Sequence, residues 1–224
     1  MTADQPADLR RISVWLFDLD NTLYPVGNDF MRLIEARMTV FVARELNLPR
    51  EAAWALQKKY LHEHGTTLAG LMAHHGIDPE HFLDEVHDVS LDSLVPDPAL
   101  QAALMRLPGR RLIFTNGDAP HAARVLERLG IADVFEAVFH IASADYIPKP
   151  NPATFTRMIA AHAVDPKATA FFEDSEKNLA PAATLGMTTV LVGPHAAASD
   201  AAFVHYRTAD LAAFLTSARV KETA

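Results

Sequence analysis

The sequence contains no cysteine. That excludes a disulfide framework and any chemistry that needs a thiolate. Aromatic residues are scarce at 8%, although hydrophobic residues reach 50%, so the core must be built mainly from Ala, Leu and Val. Basic residues are outnumbered, 20 Lys and Arg against 28 Asp and Glu, for a formal net charge of −8. A chain of that sign is poorly suited to a phosphate backbone, and no nucleic-acid partner is expected. No apolar run approaches the length of a membrane span. The start, MTADQPADLRR, has no apolar segment behind its charges. The expectation is a cytoplasmic protein without a membrane partner.

At 224 residues there is room for one large domain, or for a domain carrying an insertion. Residues 1–10 read as a loose polar arm. Short apolar runs rich in strand formers follow at Ile12–Phe17, Arg111–Thr115, Ala137–Ile141, Thr169–Glu173 and Thr188–Val192. Helical patterns lie between the later ones, over Ala119–Leu129, Pro152–His162 and Glu176–Leu185, with Gly130 and Gly186 as stops. Strands alternating with helices predict an α/β fold, a Rossmann-like parallel sheet with helices on both faces. From about Asn28 to Val95 the alternation breaks into four helical patterns with no convincing strand. The expected organisation is therefore a core domain over 11–25 and 97–224, with an inserted all-helical cap domain over 26–96.

Four short pieces carry the chemistry. FDLDNT sets Asp18 and Asp20 at the end of the first strand, TNGD follows the second with Thr115, YIPKPNP holds Lys149, and EDS sets Glu173 and Asp174 after the fourth. In open parallel sheets ligands bind beyond the carboxyl ends of the strands, so the first, second and fourth pieces are expected on one edge, with Lys149 entering from a nearby loop or helix start. Clustered carboxylates repel one another unless a cation sits among them, and hard oxygen ligands suit Mg²⁺. A hydroxyl, backbone amides and a lysine are what a phosphate needs. Asp18 can then attack phosphorus to form an aspartyl-phosphate. Asp20, two residues on and turned to the same side, can protonate the leaving oxygen and later activate water.

In this order the four pieces resemble the haloacid dehalogenase superfamily of phosphatases, in its branch with a helical cap after the first strand. The resemblance implies that Asp18 is nucleophile and metal ligand, and that Asp20 is the general acid/base and lends a backbone carbonyl to Mg²⁺. It implies that Thr115 and Lys149 hold the phosphoryl group, and that Asp174 ligates the metal with Glu173 beside it. With YLHEHGTTLAGL, FTNGDAPHAARVLERLGI, KPNPATF and EDSEKNL added, the chain resembles the pyrimidine 5'-nucleotidase group, apart from Glu173 where that group often has Asp. The implied function is Mg²⁺-dependent hydrolysis of a nucleoside 5'-monophosphate by a monomer or homodimer. The alternatives are another small phosphate ester, such as a sugar phosphate or phosphoglycolate, or a phosphomutase.

The remaining residues are read more locally. Asn116 and Gly117 are expected to touch the phosphate or its path, and Asp118 to cap the following helix. Asn178 is expected to orient the metal shell. Tyr24 with Pro25 reads as a flap over the entrance, and Tyr60, His64, Thr66 and Thr67 as substrate-side residues of the cap. Six histidines fall in the insertion, His62, His64, His74, His75, His81 and His87. All except His64 are expected to be exposed helix residues, because no spacing among them matches a zinc site.

Overall fold

The protein is described here by a computed structural model covering residues 6–25, 27 and 29–222. Six strands occur among these residues: β1 (Val14–Phe17), β2 (Arg110–Phe114), β3 (Ala137–Phe139), β4 (Thr169–Glu173), β5 (Thr188–Val192) and β6 (Tyr206–Thr208). They form one sheet in the order β3-β2-β1-β4-β5-β6, with every neighbouring pair parallel. Phe17 is level with Ile113 of β2 on one side and with Phe172 of β4 on the other. Three strands therefore end together, delivering Asp18, Thr115 and Glu173 to one edge. The strand order reverses at β1, the place where open α/β sheets keep their ligand crevice.

The sheet is apolar on both faces because β1 and β4 are buried throughout. Alternation sorts their side chains. Trp15, Phe17 and Phe172 enter one core layer, where Phe17 stacks on Phe172 with ring centres 4.6 Å apart. Val14, Leu16 and Phe171 enter the other with Phe114 and Phe155. Helices α6 (Ala119–Arg128), α7 (Pro152–His162) and α8 (Glu176–Thr184) connect the later strands. The first two begin on side-chain caps, Asp118 accepting from the His121 amide and Asn151 from that of Ala153.

Four helices lie between β1 and β2: α1 (Asp29–Glu45), α2 (Arg50–His64), α3 (Thr67–His75) and α4 (Pro79–His87). They share a small core of their own around Phe41, Val42, Leu71 and Phe82. Thr66 caps α3 and Asp78 caps α4, each accepting a backbone amide three residues on. Helix α1 serves both cores. Phe30 and Ile34 near its start pack into the main core, while Phe41 and Val42 near its end pack into the cap.

Several features depart from the sequence reading. Residues 6–10 are not a loose arm: Ala7 and Leu9 are buried, and Asp8 bridges to Arg219. Residues 1–5 of that expected arm, and residues 26 and 28 at the expected start of the insertion, lie outside the described residues. Strand β6 and two further helices, α5 (Pro98–Met105) and α9 (Leu211–Ser217), were not anticipated. β6 is a half-buried Tyr-Arg-Thr, too short to show a period. Among the described residues no helix is long and apolar enough to cross a membrane.

Candidate active site

Lys149 organises the edge where β1, β2 and β4 end. Its side chain is almost wholly buried, and Nζ donates to Asp18 Oδ1, Glu173 Oε2 and the Phe114 carbonyl, each at 2.7 Å. Three acceptors saturate an ammonium. The cation also lies over the rings of Phe114 and Phe171, at 5.0 and 5.4 Å from their centres. Burial would lower the Lys149 pKa, but Asp18 and Glu173 outweigh it and hold the group above its ordinary range. Asn116 sets the Lys149 backbone, accepting from its amide at 2.8 Å and donating to its carbonyl at 3.2 Å. The Asn116 side chain thus fixes the Lys149 backbone while lining the cleft.

One lysine does not balance the acids around it. Asp18, Glu173 and Asp174 each present an oxygen, all within 4.8 Å of one another. Burial, with the Glu173 charge second, pushes the Asp18 carboxyl up to about 7. Burial holds Glu173 up at about 7 despite Lys149, and burial followed by the Asp18 charge raises Asp174 to about 6. Such a cluster of buried, mutually repelling oxygens fits a hard divalent cation. Glu173 and Asp18 each have both oxygens engaged, Glu173 by Lys149 and the Ser175 amide and Asp18 by Lys149 and the Thr22 hydroxyl.

Asp20 stands in a different environment. Its Oδ1 accepts from Tyr24 Oη at 2.6 Å and is 2.8 Å from His121 Nε2. Burial opposes the charge on Asp20, but His121 and then Tyr24 outweigh it and bring the carboxyl down to about 2. Burial likewise opposes a charge on His121, and Asp20 reverses that and lifts its pKa above the ordinary value. Two neighbouring carboxylates are thus driven apart in acidity by their surroundings.

Thr115 is buried, and its hydroxyl accepts the Gly117 amide at 2.9 Å. Gly117 is required by close approach: a Cβ there would sit 2.9 Å from the His121 ring and 3.3 Å from the Thr115 hydroxyl. These groups floor a cleft of about 1060 Å³ whose far wall comes from the insertion, including Met31, Leu61, His64 and Thr66. Asn178 lies on its rim. The wall reaches the floor at Gly65, at φ +85°, where a Cβ would lie 3.1 Å from the Lys149 carbonyl.

Three expected substrate-side residues face elsewhere. Tyr24 is 4% exposed and buttresses Asp20 from behind, so it is no flap. Thr67 is buried in the cap, bonding the Gln57 carbonyl, and Tyr60 packs in the cap core with its hydroxyl 2.8 Å from His75. Short polar side chains at a helix start commonly turn inward to satisfy backbone. Among the insertion histidines, His62, His74, His75 and His81 are exposed, but His87 is mostly buried against His121, ring centres 4.1 Å apart. His121 and His87 were missed. The available signal was the position of His121, one helical turn after a helix-capping aspartate at a motif.

Known proteins share this architecture. A profile of the haloacid dehalogenase-like hydrolases matches residues 12–186. The chain belongs to that family. It is 30% identical over 194 residues to "Phosphate metabolism protein 8" of Saccharomyces cerevisiae, covering 80% of this chain and 60% of the yeast protein's length. It is also 30% identical over 200 residues to a "Glyceraldehyde 3-phosphate phosphatase" of Methanopyrus kandleri, covering 81% of this chain and 84% of that one. A crystal structure of a HAD phosphatase from Thermococcus onnurineus shares the fold, with a TM-score of 0.61 at 19% identity over 93% of this chain and all of that one.

Proposed function

We propose that this hydrolase is a Mg²⁺-dependent phosphomonoesterase working through an aspartyl-phosphate on Asp18. The observation that carries the reading is the Asp18 carboxylate at the cleft floor, held by Lys149 and Thr22, with Asp20 and Thr115 on the same floor. An Asp18 oxygen attacks phosphorus, the phosphorus–oxygen ester bond breaks, and the leaving oxygen takes a proton from Asp20. Water then attacks the aspartyl-phosphate, Asp20 takes its proton, and phosphate departs with Asp18 restored. A bound phosphate dianion brings negative charge beside Asp20 and raises its affinity for the proton it must deliver. Thr115 holds a phosphoryl oxygen, and Lys149 joins it by exchanging one of its three present acceptors, Asp18, Glu173 or the Phe114 carbonyl, for another. Asp18 and Asp174, with the Asp20 carbonyl, would hold Mg²⁺, which when bound neutralises phosphoryl charge.

A nucleoside 5'-monophosphate, pyrimidine first, is the proposed substrate. A cleft of about 1060 Å³ has room for a leaving group well beyond a triose, and its cap wall sets apolar Met31 and Leu61 beside His64. The Methanopyrus relative favours a second reading, a small sugar phosphate. Phosphate release from UMP, CMP, glyceraldehyde 3-phosphate and phosphoglycolate separates the two. With Mg²⁺ the expected order places UMP and CMP first, and EDTA is expected to lower every rate by about 10²-fold or more. A preference for glyceraldehyde 3-phosphate would retain the chemistry and reject the nucleotide. Product appearing as an isomeric phosphate ester would instead identify a mutase.

A further inference from the structure

His121 has no part in the four motifs, yet it is among the most tightly held polar residues of the molecule. It is 2% exposed and approaches Asp20 across 101 residues of sequence. Two rings from the helical insertion pack against its own. Phe30 of α1 is nearly parallel to it, 2° between planes with centres 5.7 Å apart, and His87 of α4 stacks at 4.1 Å and 20°. His87 Nδ1 is in turn 3.3 Å from Asp118 Oδ1, the oxygen that caps α6 and so places His121. Arg124, one turn further along α6, donates to the carbonyls of His87 and Val89 and ties that end of the insertion to α6.

The consequence falls on the two oxygens of Asp20. His121 and Tyr24 both meet Oδ1, whereas among the described residues Oδ2 takes no hydrogen bond. Oδ2 is the oxygen turned toward the Thr115–Gly117 loop, 3.7 Å from where a Cβ on Gly117 would stand. Two partners on one oxygen restrict how the carboxylate turns, which holds the other oxygen in place for proton transfer. We propose that His121 is a positioning residue for Asp20, held by the seated cap, which fixes Oδ2 as the atom that exchanges protons with the leaving group and with water. This rests on the role proposed above for Asp20.

The test compares His121→Leu, His121→Asn and His121→Gln with wild type and Asp20→Asn, on UMP and on p-nitrophenyl phosphate. Leucine removes the donor, asparagine carries one that falls short of Oδ1, and glutamine places an amide close to the original Nε2. Leucine and asparagine are expected to lower kcat on UMP by about 10²-fold with KM changed by less than about threefold, and glutamine to recover at least about tenfold. The p-nitrophenolate leaves without a proton, so its pre-steady-state burst, which reports attack by Asp18 alone, is expected to persist in all three variants. A burst slowed as much as kcat, or a glutamine variant no better than leucine, would overturn the proposal. So would full activity in His121→Leu alongside an inactive Asp20→Asn. Full activity in Asp20→Asn would instead remove the proposed role of Asp20 itself. If His121→Leu does not fold, His121→Asn carries the same comparison.

Discussion

An Asp18→Asn protein is expected to lose at least about 10⁴-fold in phosphate release while unfolding at an equal or higher temperature than wild type. The two expectations share one cause. The substitution changes one oxygen to an amide nitrogen, so the side chain still fits where Lys149 Nζ and the Thr22 hydroxyl now bond it. What disappears is the nucleophile, because an amide does not attack phosphorus usefully. The buried negative charge disappears with it. Asp18 is pushed up to about 7 by burial and by Glu173, so above that pH its ionised form weighs against the folded state. Relief of that penalty offsets the lost pairing with Lys149. Function and stability oppose each other here, as at many sites built from strained charge. Acid-quenched protein after reaction with a radiolabelled phosphate ester supplies the direct check, with label on wild type and none on Asp18→Asn. Label on the variant, or activity within about tenfold of wild type, would remove Asp18 as nucleophile.

Lys149→Met is expected to do the reverse damage, costing about 3–5 kcal/mol of stability together with nearly all activity. Methionine matches the length of the stem but leaves Asp18, Glu173 and the Phe114 carbonyl without their shared donor. Breaking a buried pair from one side leaves an uncompensated charge, which is the costly direction. The sign of the pH dependence follows. With Lys149 present, Asp18 and Glu173 already sit at about 7, and its loss raises both further. Acids whose folded pKa exceeds the unfolded value of about 4 bind protons preferentially when folded, so stability falls as pH rises through that window. Denaturant unfolding in EDTA is therefore expected to show a smaller deficit for Lys149→Met at pH 5 than at pH 8. A deficit that is small and independent of pH would mean that the two carboxylates are not held by this lysine.

Tyr24 shows how far the local sequence could be read. Its place four residues after Asp20 was plain, but the direction of its ring was not, and burial against Phe30 turned an expected flap into a buttress. Asn116 followed the same course, near the site as expected but occupied with the Lys149 backbone. The strands were legible where they are buried on both faces, as in β1, β4 and β5, because such strands must be continuously apolar. Edge strand β6 and the short helices α5 and α9 were not, since their short lengths give periodicity little room.

By itself the sequence determined that a parallel sheet is interrupted by helices after its first strand, and that Asp18, Asp20, Thr115, Glu173 and Asp174 come to one edge with Lys149 reaching it from a nearby loop. Strand ends are set by local patterns, and parallel pairing then collects them. Only the tertiary structure decided what each of those groups faces: Lys149 shared between Asp18 and Glu173, and Asp20 gripped by Tyr24 and by a histidine 101 residues away. The physical reason is that side-chain partners across such separations are chosen by packing of whole elements, here α1 and α4 closing on α6. A histidine in a helix looks the same in sequence whether it meets water or a buried carboxylate.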